Sequence, residues 1–396
     1  MIRLKKWQIC LAVIYLAIIV EVRASDFYDY SFIHIDNAGG LSQSNVKSIE
    51  QDHYGFIWLG TKNGLNRYDG KQIKHFFVYD QEKQCGNQNV SALHEENDRT
   101  LWVGTDNGVY RYDHAKEKFN FLQQESSSGK QIRGWVNQIL TDHQGQVWIV
   151  APDDGIFRYH QGQLSSYHPI THGNKSDTPQ HICICEDGEI WACSWYSGLF
   201  RYDKKSDSFE QITTDSRGRS LLGIEFNTIS QRGDELILSV QRGALMKYNY
   251  KKNILQDIRL QNLGHTFVRN AAVYDGRIWA GTYDGLYILD EEKGLVKNIR
   301  QDLINPAGLS DDIIYTTFRD RQGGIWIGTM FGGVNYLPHR ELSFKQHFMA
   351  DNTDRKSLRI REIVEDDKGT LWIGPNQGYR FITPTSSSRL SFLISI

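Results

Sequence analysis

Residues 55–70 read GFIWLGTKNGLNRYDG, and residues 100–113 read TLWVGTDNGVYRYD. The phrase holds an apolar run around a tryptophan, an Asn-Gly pair and an Arg-Tyr-Asp ending. Asn-Gly between two apolar runs signals a hairpin, because its tight turn needs positive φ at both central residues. The phrase is thus two strands and their turn, and its repeated return decides the fold.

Tryptophan tracks the return at Trp58, Trp102, Trp148, Trp191, Trp279, Trp326 and Trp372, and Ile237 stands in the long gap. The steps are 44, 46, 43, 46, 42, 47 and 46 residues. A unit of about 45 residues is one four-stranded propeller blade. Glycine stands three residues before the landmark at Gly55, Gly145, Gly188, Gly276, Gly323 and Gly369, after turn formers such as Asp52-His53-Tyr54. Upstream lies an inner strand such as NVKSIEQD, and downstream a third strand ending in Arg-Tyr and an outer strand such as QIKHFFVY. A single blade hides its faces only against its neighbours, so the phrase must repeat. The tryptophans, in mid-strand at a fixed step, read as packing between blades. Asp52, Asp142 and Asp320, and Asp69, Asp113 and Asp203, read as turn residues that bond the backbone.

A ring needs closure. Residues 30–36 resemble an outer strand with no blade before it, and they can pair with the third strand of the seventh unit, near Tyr336. The expected fold is all-β: a seven-bladed β-propeller of four-stranded blades over residues 25–340, plus the incomplete first blade of a second propeller over 341–396. An eight-bladed ring is the rival count.

The chain start differs. Arg3, Lys5 and Lys6 precede an apolar run over 9–20 and a cleavage point near Ala24. This is the order of a secretory signal peptide, 1–24, which places the mature chain outside the cytoplasm, in the periplasm or beyond. Membrane contact is expected only through this segment, cleaved or kept as an anchor. With 45 basic and 47 acidic residues, the charge balance gives no reason to expect a nucleic-acid partner. Cys85, Cys183, Cys185 and Cys193 match no zinc or redox spacing and read as buried thiols, with a disulfide left open. His168 and His172 flank Pro169 in a polar loop and do not read as metal ligands. No nucleophile elbow, phosphate loop or dinucleotide turn appears, so no catalytic residue, metal or cofactor is expected.

The stretch GLSQSNVKSIEQDHYGFIWLGTKNGLNRYDG (40–70), with GRIWAGTYDGLYILD and GGIWIGTMFGGVNYLP, is similar to the two-component regulator propeller repeat. The resemblance covers about residues 30–382. It implies the extracytoplasmic sensor portion of a receptor whose other parts are a second ring, a β-sandwich, a membrane helix and a histidine kinase or diguanylate cyclase. This sequence shows none of those parts, so the expectation is a ligand-sensing module, a truncated front end without its downstream signalling domains.

Loops between second and third strands share one rim, where propeller pockets belong. Candidate ligand-binding residues there are Trp135, Trp195, Tyr196, Tyr283 and Phe331 as aromatic faces, and Arg242, Arg269, Asn270 and Asp284 as polar contacts. Rings beside planar polar groups suit a small molecule or an oligosaccharide, which offers C–H faces and hydroxyls together. A propeller-fold lyase or glycosidase, or a protein-interaction scaffold, are the alternatives.

Overall fold

The computed structural model describes residues 30–97, 100–167, 178–241, 243–258, 266–291, 295–302, 305, 307–339, 360–367, 371–375, 379–382 and 390–393. The signal-peptide segment, the His168/His172 loop and Arg242 lie outside them.

Every regular element among the described residues is a strand. Blade 1 runs Val46–Gln51, Ile57–Thr61, Gly64–Tyr68 and Ile73–Phe76, paired in that order. Blades 2 to 6 repeat the pattern from inner strands Val90–Asn97, Gln138–Thr141, Pro179–Ile184, Phe226–Arg232 and Val268–Tyr274. Blade 7 takes Ile314–Arg319, Ile325–Thr329 and Val334–Leu337 from late in the chain. Its outer strand is Ile33–Ile35 from the start, antiparallel to the third, with Ile33 opposite Tyr336. Both open edges vanish in this pairing. The ring therefore has seven blades. The eighth repeat forms a sheet of its own, Ile360–Glu365, Leu371–Pro375, Tyr379–Ile382 and Leu390–Leu393, within a separate compact unit.

The tryptophans fill the wedges, and five of them face a tyrosine that the repeat supplies from the adjacent blade. Trp58 meets Tyr112 of the next blade edge-on, with centroids 5.5 Å apart. Trp102 meets Tyr159 at 5.0 Å, Trp148 meets Tyr202 at 5.0 Å and Trp191 meets Tyr248 at 5.6 Å. Across the closure, Trp326 meets Tyr68 at 6.0 Å. In four of these pairs the tyrosine is that of the Arg-Tyr ending, and Tyr248 follows Lys247 at the same place, so the two ends of the phrase face each other from adjacent blades. Such pairs add roughly 0.5–1.5 kcal/mol beyond the area they bury.

The hairpin aspartates do more than close turns. Asp320 Oδ1 accepts the Gly324 N–H, and its Oδ2 accepts the Trp326 indole N–H at 2.8 Å. Asp52 and Asp142 hold Trp58 and Trp148 in the same way, at 2.7 and 2.9 Å, and Glu96 holds Trp102. Blade 4 has the same backbone turn, with Cys185 in the aspartate's place. There the Trp191 indole N–H is buried without a hydrogen-bond partner. The four cysteines of the described region are free thiols, and Cys183, Cys185 and Cys193 are buried.

The Gly-Thr after the landmark in blades 1, 2, 6 and 7 is explained by contact. A Cβ on Gly104 would lie 2.7 Å from Val136 Cγ1 on the next inner strand, and one on Gly60 would lie 2.7 Å from Val90 Cγ1. Thr61 and Thr105 then donate their hydroxyls to the Gly64 and Gly108 carbonyls at 2.9 Å, tying the second turn.

Candidate functional site

Each inner strand begins with one residue that its partner strand does not match. Pairing skips Lys47, Ser91, Gln180, Asn227, Arg269 and Tyr315 in blades 1, 2, 4, 5, 6 and 7. In blade 3, Asn137 holds this place, its N–H bonded to Val150 O at 2.8 Å. A bulge breaks the in–out alternation of a strand and re-aims one side chain. Repeated around the ring, it collects seven side chains at one mouth of the ring axis, on the rim of the second-to-third-strand loops. That rim is fixed by backbone bonds such as Lys62 N to Asn45 O and Tyr283 N to Phe267 O.

These side chains link neighbouring blades. Lys47 Nζ donates to Asn89 Oδ1 at 2.6 Å and lies 4.5 Å from the Trp135 ring centroid. Asn137 Nδ2 donates to Gln180 O and Oε1, both at 3.2 Å. Asn227 Nδ2 donates to Val268 O at 2.9 Å, and its Oδ1 accepts the Trp195 indole N–H at 2.9 Å. The Arg269 guanidinium lies 4.3 Å from the Tyr315 centroid and 5.4 Å from that of Tyr283. Its Nε is buried without a hydrogen-bond partner.

The mouth is cationic. Burial pulls the Lys47 ammonium down to about 8; Asp106 works against this, and Lys62 and Arg269 add to it. Lys47 of blade 1 and Arg269 of blade 6 therefore sense each other across the mouth. Two cations beside the rings of Trp135, Tyr283 and Tyr315 can hold an anionic group and a flat apolar face together.

Of the nine residues singled out from sequence, Arg242 lies outside the described residues and the other eight divide accordingly. Trp135, Trp195, Arg269 and Tyr283 join the bulged residues, and Tyr283 also stacks on Phe267 at 5.1 Å. Tyr196 and Phe331 are exposed on the rim. Asn270 accepts the Thr317 hydroxyl at 3.0 Å, inside the contact between blades 6 and 7. Asp284 is paired with Arg300. Lys47, Ser91, Asn137, Gln180, Asn227 and Tyr315 were missed. Their signal is the residue just after the first core aliphatic of each inner strand, as in NVK, FNT, VRN and IYT.

A cleft of about 620 Å³ opens on the opposite face between blades 3 and 4, beside Asp142, His143, Arg158, Tyr202, Lys204 and Asp207. Arg158, Tyr167 and Tyr202 already converge on Asp207 there, which leaves that network largely satisfied. The mouth, with Arg269 Nε unpaired, is the better candidate.

Residues 40–63 and 308–331 match the two component regulator propeller family. A 60-residue stretch is 48% identical to Histidine kinase P4 of Formosa agariphila, covering 15% of this chain and 4% of that protein. Two solved structures from B. thetaiotaomicron share the fold, both described as extracellular domains of hybrid two component systems. BT4673 matches with a TM-score of 0.67 at 22% identity, over 92% of this chain and 47% of that one. BT3049 matches with a TM-score of 0.71 at 21% identity, over 92% and 50%. This chain thus spans about half the length of those structures. The described ring is thus a seven-bladed β-propeller, within which residues 40–63 and 308–331 match the two component regulator propeller family.

Proposed function

We propose that this ring is the extracytoplasmic ligand-sensing module of a two-component-type receptor, exported through residues 1–24, and that it binds an oligosaccharide carrying a carboxylate or sulfate. One observation carries the ligand class: the bulged Lys47 and Arg269 bring two cations to a mouth floored by Trp135, Tyr283 and Tyr315. Aromatic faces suit the C–H side of a sugar ring, and the cations suit its acidic substituent. Trp195, Tyr196 and Phe331 extend the contact surface outward along the rim. The extracellular assignment of the BT4673 and BT3049 domains supports the location and the sensing role. Those matches are to sensor domains, and no constellation of nucleophile and base converges on the mouth among the described residues, so the module is read as a binder and not an enzyme.

The test is calorimetric titration and thermal shift of the full chain with neutral and acidic oligosaccharides. A ligand that binds the folded state raises the melting temperature. Acidic oligosaccharides are expected to bind, and Lys47→Ala and Arg269→Ala each to weaken them about tenfold, the scale of one charge-assisted bond. Lys47 is charged below its value of about 8 and neutral above it. Affinity for an acidic sugar is therefore full near pH 6 and falls as pH rises through 8. No shift from any acidic sugar, or equal binding by both variants, overturns the reading.

A further inference from the structure

We propose that Asp52, Glu95 and His114 form a binding site for a first-row divalent cation, zinc by ligand chemistry, that clamps blade 1 to blade 2.

The three residues are far apart in sequence and meet on the face opposite the mouth. Their ligand atoms lie within 4.8 Å of one another. Asp52 comes from the first hairpin of blade 1, Glu95 from the inner strand of blade 2, and His114 from just past the third strand of blade 2, Gly108–Asp113. The Asp52 side chain is wholly buried, and those of His114 and Glu95 are 7% and 9% exposed. His114 Nε2 is buried with no hydrogen-bond partner, and it faces Glu95 Oε1 at 3.7 Å. With the proton on Nδ1, Nε2 aims a lone pair at the carboxylates. Zinc with bonds of about 2.0–2.1 Å places its tetrahedral ligand atoms about 3.4 Å apart, so the His114–Glu95 pair is within a few tenths of an ångström of that spacing.

The carboxylates are held as ligands are held. Asp52 accepts the Phe56 N–H at 2.9 Å and the Trp58 indole N–H at 2.7 Å, one on each oxygen. Glu95 Oε2 accepts the His53 N–H at 2.7 Å, and Oε1 bonds His53 Nδ1 at 2.8 Å. Each oxygen keeps a lone pair for a cation, and the bonds fix its direction. No lysine or arginine pairs with Asp52 or Glu95 among the described residues. Arg67, beside the cluster, spreads over the Phe56 ring at 4.4 Å.

The repeat supplies its own control. Glu95 pairs with Leu101, the residue before the tryptophan. The same position in the other blades holds Gln51, Thr141, Ile184, Gln231, Val273 and Arg319. Within the ring the fold thus accepts polar, apolar and basic groups there, and the one acid is Glu95, which faces a buried, unpaired histidine; the eighth repeat, in its separate unit, carries Glu365 opposite Leu371. At the junction of blades 3 and 4, Asp142 and His143 recur, but Ile184 replaces Glu95 and Lys204 replaces His114. A covalently attached ammonium lines that junction, where blades 1 and 2 offer three ligand atoms instead.

The test uses the purified full chain, stripped with chelator and titrated with Zn²⁺ and with Co²⁺. The expected result is about one equivalent bound per chain, a raised melting temperature, and the intense visible absorption of four-coordinate Co²⁺. His114→Gln and Glu95→Gln are each expected to weaken binding about 10–100-fold while the metal-free chain stays folded. His172→Ala, in the separate polar loop, should change nothing. Less than about a tenth of an equivalent bound to the wild type overturns the site, a result that does not depend on any variant folding. Binding that survives both glutamine variants, or is lost with His172→Ala, overturns it equally. The sugar titrations read the opposite face, so their outcome is independent of this one.

Discussion

The two faces of the ring are written in different ways. On one, the hairpin before the landmark says the same thing in blades 1, 3 and 7: an aspartate, a glycine, then a tryptophan whose N–H the acid holds. On the other, the bulged position holds six residue types in seven blades: lysine, serine, asparagine, glutamine, asparagine, arginine, tyrosine. A fold that needs each blade to fit the next repeats the residues that make the fit. Where a bulge re-aims a side chain, polar links of different kinds, such as Lys47 to Asn89 and Asn227 to Val268 O, can join the blades, so the packing does not compel repetition and chemistry can differ from blade to blade.

That contrast can be broken by substitution, beginning with the recurring face. Trp148 is fully buried against Tyr202 and Phe209. Trp148→Ala should cost about 3–5 kcal/mol, read by urea unfolding, since it opens a wedge two blades share. Asp320→Ala keeps the ring of Trp326 but strands its indole N–H. An unpaired buried donor costs about 1–3 kcal/mol, so this variant should melt between the wild type and Trp148→Ala.

Blade 4 permits the converse experiment. Its Trp191 N–H already lacks an acceptor, and its turn has the backbone bonds of the others, Cys185 N to Glu189 O and Gly188 N to Cys185 O, both 2.8 Å. Cys185→Asp should restore the missing bond and stabilise the protein by about 1 kcal/mol. Loss of stability there would show that the acid and the tryptophan are not an interchangeable pair. The smallest effect belongs to the varied face. Lys47→Ala should change the unfolding free energy by less than about 0.5 kcal/mol, because its charge is already opposed by burial and by Arg269. A large destabilisation there would erase the distinction between the two faces.

Much of the architecture was legible because it is periodic. The landmark step gave the blade length, and the orphan strand at 30–36 gave both the count and the closure. Tyr112 as partner of Trp58 was equally periodic, but it joins one unit to the next, and reading units singly hid it. The bulge was harder to see. A single unmatched residue at the start of a six-residue strand such as Val46–Gln51 barely disturbs an alternation only three pairs long, so Lys47 looked like an ordinary polar position. The Asp52–Glu95–His114 cluster lay beyond sequence patterns for another reason. Its members come from two blades, at spacings set by strand lengths and not by any local motif.

Blade 7 carries a consequence for how the molecule is made. Ile33–Ile35 emerges early, yet its partner Val334–Leu337 is among the last ring strands to be synthesised. Until that late segment arrives, an early chain must wait with an unmatched edge, and the loop it finally closes spans the whole ring. Pairing at such sequence separation makes for slow, non-local folding. The ring can therefore close only once Val334–Leu337 has been synthesised, and until then the waiting edge is the point at which helper proteins or misassembly would act.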